Sequence, residues 1–210
     1  MQPAAGVYHR GMGDVTSDVT AFILAGGKST RMGSDKAFVE WEGQMLLARS
    51  LGLARCVASD VRIVGSREKF AEFAPVVEDE FRDCGPLGGI HAALKASQTK
   101  LNLILAVDMP FVSVAFLHYL LSQARSAVEA VVVVPQAGGS WQPLCAIYRQ
   151  GFAVAAEHAL RAGRNRIDSL FDAVQLRVID ENELNVAGFS INIFRNLNTP
   201  RDFEAEKRRA

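Results

Sequence analysis

From Phe22 to Lys36 the chain reads FILAGGKSTRMGSDK, and this stretch holds the residues best suited to chemistry. An apolar run over residues 19–24 has the length of a buried strand and stops at Gly26 and Gly27. Lys28, Arg31 and Lys36 follow, with no carboxylate before Asp35. A glycine has no Cβ to hold a ligand off, so its backbone N–H groups can point at anionic oxygens. Cations spaced along the same loop suit a ligand carrying several phosphates. A loop of this kind at the end of a strand is where open α/β sheets take nucleotides. A plain surface turn needs neither a second glycine nor three spaced cations.

Two common nucleotide loops do not fit. Gly27-Lys28-Ser29 looks like the end of a P-loop, but the first glycine of that pattern falls on Phe22, inside the strand. Gly11-Met12-Gly13 opens a dinucleotide fingerprint, yet no apolar strand precedes it and Thr16 stands where the third glycine belongs. A second chemical position is Asp108, directly after the apolar run 101–107. A carboxylate at a strand's carboxyl end can hold Mg²⁺, which binds through one or two carboxylates plus substrate phosphates. Capping the turn before Pro110 is the competing role. Gly85 to Gly89 is a glycine-rich turn opening a helix, which offers free N–H groups and a positive dipole end; a structural turn is the alternative.

Residues 24–36 resemble the signature LAGG-x-[SA]-x-RMG-x-DK of the molybdenum cofactor guanylyltransferase family. Further segments agree in order: Gly85-Pro86-Leu87-Gly88-Gly89-Ile90, Asp108-Met109-Pro110-Phe111, the segment from Gln142 to Tyr148, and Asn196-Leu197-Asn198-Thr199-Pro200. The resemblance covers about residues 20–205. It implies transfer of GMP from GTP to molybdopterin with release of pyrophosphate, with Mg²⁺ as cofactor. Molybdoenzymes or their chaperones would be downstream partners. It also implies nucleotide contacts at Leu24, Ala25, Gly26, Gly27, Lys36, Asp79, Gly85 and Asp108. Arg31, Lys36 and Asp108 would be catalytic, with Asp108 the metal ligand. Asn196 and Asn198 would support the active site, and Gln142 and Pro143 would face the acceptor. Arg164 and Arg166 are further candidates for the acceptor's phosphate, although an Arg after a helix end is commonly a dipole partner. An asparagine that some relatives use for the nucleotide is absent near Val64-Gly65-Ser66. The nearest alternative is a molybdopterin cytidylyltransferase or another small-molecule nucleotidyltransferase; CTP users usually carry LAAG in place of LAGG. A non-catalytic nucleotide-binding adaptor would not need both Lys36 and Asp108.

The elements that must position these residues alternate along the chain. Strands are expected at 19–24, 61–64, 75–77, 101–107, 130–134, 176–179 and 190–194. Helices are expected at 46–57, 88–96 and 113–125, the last with Ser113 as N-cap, and after Pro200. Such alternation implies an α/β fold, a Rossmann-like three-layer α/β/α single domain with a mainly parallel central sheet. Residues 20–210 would form the nucleotidyltransferase domain, and 1–19, rich in Gly, Ala, Asp and Ser, a loose tail.

Composition agrees. A chain of 210 residues that is 49% hydrophobic can bury one sizeable core. The 23 basic and 23 acidic residues cancel, so nothing points to nucleic acid as a partner. No apolar run approaches a membrane span, and residues 1–19 have no secretory h-region. Three scattered cysteines, Cys56, Cys84 and Cys145, suit a reducing, cytoplasmic setting, and four histidines without ligand spacing give no sign of zinc chemistry.

Overall fold

The computed structural model describes residues 16–26 and 35–197. Gly27, Arg31, Asn198 and the helix expected after Pro200 lie outside the described residues. Strand β1 (Thr16–Leu24) begins three residues before the apolar run. A 3₁₀ turn at Lys36–Phe38, capped by Asp35, leads into a hairpin of β2 (Glu40–Trp41) and β3 (Gln44–Met45). Its two loop residues, Glu42 and Gly43, both have positive φ, as a type I′ turn requires. There follow α1 (Leu46–Arg55), β4 (Ala58–Val64), α2 (Arg67–Phe70), β5 (Val76–Val77), α3 (Pro86–Ala96) and β6 (Leu101–Ala106). Next come α4 (Val114–Ser126), β7 (Val132–Ala137), β8 (Ser140–Trp141), β9 (Cys145–Tyr148) and α5 (Gly151–Arg161). The described chain closes with a 3₁₀ helix at Asp168–Ala173, β10 (Leu176–Ile179), α6 (Glu181–Val186) and a 3₁₀ turn at Ile191–Phe194.

The main sheet runs β10-β7-β9-β6-β1-β4-β5, with β8 paired to β7. All its pairings are parallel except those of β8 and β9. β1 is apolar on both faces because helices cover both. Val19, Ala21 and Ile23 join one core with Leu47 and Leu51 of α1 and Phe116 and Leu120 of α4. Phe22 and Leu24 join the other with Leu87 and Ile90 of α3 and Phe152 and Ala156 of α5. The strand's alternation thus sorts its side chains between two cores, which makes the three layers. Among the described residues no helix is long and apolar enough to cross a membrane.

Several boundaries follow from local chemistry. Ser113 caps α4, its side chain accepting the Phe116 N–H at 3.2 Å. α3 starts at Pro86, two residues before the expected Gly88, since proline fits the first helical position where no N–H partner is needed. Residues 190–194, expected as a strand, instead make a 3₁₀ turn. Ser190 accepts the Asn192 N–H, and the turn sets Phe194 against Phe116 at 5.3 Å between centroids. β9 and α5 are additional to the expected elements. Gly138 and Gly139 (φ 59° and 69°) reverse the chain after β7, so β9 enters antiparallel between β7 and β6.

Candidate active site

From β1 the chain crosses to β4 on one side and returns through β5 and α3 to β6 on the other. The carboxyl ends of β1 and β6 therefore form the point where the sheet's winding reverses, the usual ligand crevice of such folds. Their ends are locked together. Leu24 pairs with Ala106 in register, and the Val107 N–H donates to the Leu24 carbonyl at 3.2 Å. Asp108 emerges one residue beyond that bond.

The Lys36 ammonium donates to Asp108 Oδ2 at 3.0 Å across 72 residues of sequence. Both side chains are only part-exposed, 23% and 15%. Lys36 opens the 3₁₀ turn that Asp35 caps through the Ala37 N–H at 3.2 Å. The other oxygen of Asp35 accepts from Lys69 of α2 at 2.8 Å, which ties this turn to the segment after β4. On the far side of Asp108, its carbonyl accepts the Leu197 N–H at 3.1 Å, so Asn196 lies beside the same turn, exposed.

Gly26 has a different local role from the expected one. Its N–H and that of Ala25 both donate to the Val64 carbonyl, at 3.1 and 3.0 Å, so neither is available to a phosphate. Gly26 instead lies against Gly65: a Cβ on Gly26 would come 3.6 Å from the Gly65 Cα. A Cβ on Gly65 would come within 2.9 Å of the Phe70 ring. Where some relatives carry an asparagine, this chain thus brings two backbones together above a phenylalanine.

Asp79 sits behind the α3 turn. Its Oδ1 accepts the Phe81 N–H at 2.8 Å, and its Oδ2 would lie 2.4 Å from a Cβ on Gly88. Burial holds the Asp79 carboxyl above the usual carboxylate range, against the opposing pull of the Phe81 N–H and of His91. Gly85 precedes α3 at φ 66° and ψ −159°, a conformation open essentially to glycine alone. Glu78 pairs at the surface with Arg67.

On the opposite flank, β9 runs antiparallel to β6, with Leu105 opposite Cys145. The Ala106 N–H donates to the Leu144 carbonyl at 2.8 Å, so Gln142 and Pro143 sit beside the end of β6. The Gln142 amide turns back onto the hairpin carbonyls of Ala137 and Ser140, and the Pro143 carbonyl accepts the buried Tyr148 hydroxyl at 2.9 Å. Arg166 is held by Asp168 at 2.8 Å, whereas Arg164 makes no ion pair among the described residues. Cys145 is fully buried and its thiol is pushed up to about 12, so it does not supply a thiolate at neutral pH.

The arrangement joins Leu24, Ala25, Gly26, Lys36 and Asp108 at one crevice, with Asp79 and Gly85 on the α3 side and Gln142 and Pro143 on the β9 side. Gly65 and Lys69 belong to its framework and carry no motif signal; only Gly65, placed directly after the strand expected at 61–64, could have been suspected of a close backbone approach. No trio of His, Cys, Asp or Glu side chains forms a metal cage among the described residues. Asp108 fits a cation of another kind. It is a hard oxygen donor at the carboxyl end of β6, and Mg²⁺ binds through one or two carboxylates with substrate phosphates completing its shell.

Such a sheet, with a lysine and a carboxylate facing each other at its winding reversal, suits a nucleotidyltransferase. Residues 21–177 match the model of the MobA-like NTP transferase domain, and the chain belongs to that family. It is 35% identical over 185 residues to a protein of Pelotomaculum thermopropionicum described as "Probable molybdenum cofactor guanylyltransferase", covering 87% of this chain and 89% of that one. A molybdenum cofactor guanylyltransferase of Syntrophotalea carbinolica is 31% identical, with 90% of each chain covered. Among solved structures, molybdopterin-guanine dinucleotide biosynthesis protein A from Archaeoglobus fulgidus superposes with a TM-score of 0.77 at 26% identity, covering 90% of this chain and 97% of that one.

Proposed function

We propose that this protein transfers GMP from GTP to molybdopterin, forming the guanine dinucleotide cofactor and releasing pyrophosphate. The observation that carries the reading is the facing of Lys36 and Asp108 at the sheet's winding reversal, in a chain of this family. A terminal phosphate oxygen of the acceptor attacks the α-phosphorus of GTP. An O–P bond forms on that side, and the bond to the β-phosphate bridging oxygen breaks on the other, its electrons leaving with pyrophosphate. The attacking oxygen is already anionic, so no side-chain nucleophile is required. Catalysis is then positioning and charge stabilisation.

Lys36 meets the charge that grows on the leaving pyrophosphate, and Arg31 is proposed to share that task. Asp108 would hold Mg²⁺, which would supply charge stabilisation to the phosphates. The carbonyls and glycine surface of residues 24–26, together with Asp79 and the Gly85 turn, form the nucleotide side. Gln142 and Pro143 form the acceptor side, and Arg164, which has no carboxylate partner among the described residues, is the arginine of the two whose charge is not already paired.

Incubation with GTP, CTP or ATP labelled at the α-phosphate, together with Mg²⁺ and molybdopterin, tests this directly. Label should move from GTP to the pterin product, with one pyrophosphate formed per label transferred. Preferential transfer from CTP, or label transfer to no pterin product, overturns the reading.

A further inference from the structure

The turn that carries Asp108 is held almost entirely through its carbonyls. The Val107 carbonyl accepts the buried Ser50 hydroxyl at 3.4 Å, and the Asp108 carbonyl accepts the Leu197 N–H. The Met109 carbonyl accepts the Val112 N–H at 3.4 Å, and Pro110 has no N–H to give. The shortest of these bonds, and the charge-assisted one, comes from α1: Arg49 Nε donates to the Pro110 carbonyl at 2.7 Å. α1 is a firm support for it, since Leu46, Leu47 and Leu51 are buried in the core.

The same guanidinium reaches the segment that carries Lys36. Its Nη1 lies 3.9 Å from Glu42 Oε2 in the β2–β3 loop, four residues past the 3₁₀ turn. That hairpin also sets Trp41 edge-on to Phe111, at 5.9 Å, and the Arg195 guanidinium lies 5.1 Å from the centre of the Phe111 ring. Arg49 therefore touches both segments whose tips meet in the Lys36–Asp108 pair.

We propose that Arg49 is a positioning residue for the transfer reaction. It sets the register between the Lys36 segment and the Asp108 turn, and so the place of the Asp108 carboxylate. A guanidinium suits this task because its donors lie in one fixed plane, so one group can address a carbonyl and a carboxylate together. The inference rests on Asp108 being the carboxylate that meets metal and phosphate.

The test uses Arg49→Met, which keeps an apolar stem and removes the donors, and Arg49→Lys, which restores one donor and the charge. Mn²⁺ binding is measured by electron paramagnetic resonance in the full chain with a GTP analogue whose α,β-bridge cannot be cleaved. Asp108→Asn is the reference arm. Arg49→Met should weaken Mn²⁺ binding about tenfold and lower kcat by a similar factor, with KM for GTP changed by less than about threefold. Arg49→Lys should regain most of the Mn²⁺ affinity. Wild-type Mn²⁺ affinity in Arg49→Met, or equal losses in kcat and 1/KM that Arg49→Lys does not repair, overturns the proposal. If Arg49→Met does not fold, Glu42→Gln at the exposed end of the link decides: unchanged Mn²⁺ affinity there overturns it as well. Wild-type Mn²⁺ affinity in Asp108→Asn would overturn the assignment of Asp108 instead, a result distinguishable from failure of the Arg49 role.

Discussion

Lys36 and Asp108, 72 positions apart, meet at 3.0 Å where the ends of β1 and β6 open the crevice. Each is the other's counter-charge in the absence of substrate. On the proposed reading, phosphates and metal would give both charges new partners, so the pair would be exchanged on binding. A side chain used in this way contributes more to turnover than to folding.

Asp108→Ala should keep the fold, because the turn is held by its carbonyls and by buried Met109 and Val112. It should remove most turnover at ordinary Mg²⁺ concentrations. If Asp108 holds the metal, its loss would cost several kcal/mol of transition-state stabilisation, so a fall of about a hundredfold or more in kcat is expected. Circular dichroism of the variant beside its initial rates checks this. Near-wild-type rates in a folded variant would remove Asp108 from the chemistry.

Lys36→Ala should lower kcat more than it weakens GTP binding, because the charge it meets is largest as pyrophosphate departs. The double variant with Asp108→Ala should be little slower than the worse single variant, as groups acting in one charge array are strongly non-additive. A Lys36→Ala protein with raised KM and unchanged kcat would make this lysine a ground-state anchor.

Gly88→Ala and Gly89→Ala separate two adjacent glycines that look alike in sequence. A Cβ at 88 collides with Asp79 Oδ2 at 2.4 Å and the Phe81 carbonyl at 2.9 Å, whereas at 89 it meets Val64 and Leu24 side chains at 3.4 and 3.5 Å. Gly88→Ala should destabilise by about 1–3 kcal/mol as an overpacked site and raise KM for GTP by moving Asp79. At 89 the better helix propensity of alanine, worth up to about 1 kcal/mol, offsets the tight contact. Urea melts of the two variants should differ clearly, and equal melts would contradict the packing of Asp79 on α3.

Asp79 also makes stability depend on pH. Its carboxyl is raised in the fold by burial, so the folded state holds its proton more tightly than the unfolded chain does. The stability this gives is present below the ordinary value of 3.8 and is lost as pH rises through the raised pKa. Asp79→Asn keeps the acceptor for the Phe81 N–H and removes the titration. Its stability relative to the parent should therefore grow as pH rises from about 3 toward neutrality, while GTP binding weakens. Thermal melts across that range check the sign, and a gap that stays constant or narrows would refute it.

The parts of this site that were legible in sequence are those where one residue's chemistry is decided locally. An apolar run ending at glycine marks β1, an Asp directly after the apolar run 101–107 marks the crevice, and Ser113 marks the start of α4. What could not be seen depends on partners distant in sequence. Gly26 looked free to offer its N–H, but β4 brings the Val64 carbonyl to it. β9 is a four-residue strand that enters the sheet only because a two-glycine turn reverses the chain. Ser190 to Phe194 has strand-like composition, yet its serine cap and the pull of Phe116 on Phe194 favour a turn. Arg49 has the look of a solvated helix arginine until the Pro110 carbonyl is placed 2.7 Å from it.

Base choice is the last prediction, and the packing at Gly26 defines how to test it. The resemblance implies that alanine here goes with CTP use, and a Cβ at this position would lie against the β4 backbone, 3.6 Å from Gly65 Cα. The Gly26 N–H is committed to Val64, which leaves the backbone carbonyls of this loop and the Asp79 carboxylate as acceptors for the guanine N1–H and amine. Buried polar groups left unpaired cost about 1–3 kcal/mol each, so the site should favour GTP over CTP by roughly tenfold to a hundredfold or more. Gly26→Ala is sterically mild: the new Cβ would lie 3.6 Å from Gly65 Cα and from the Val64 carbonyl, and Gly26 is not among the positive-φ glycines. The variant should fold normally and lose GTP preference before it loses use of CTP. Measuring kcat/KM for both nucleotides in both proteins decides the matter. Equal use of GTP and CTP by the parent rejects guanine selection, and an unchanged ratio in Gly26→Ala moves its origin away from this glycine.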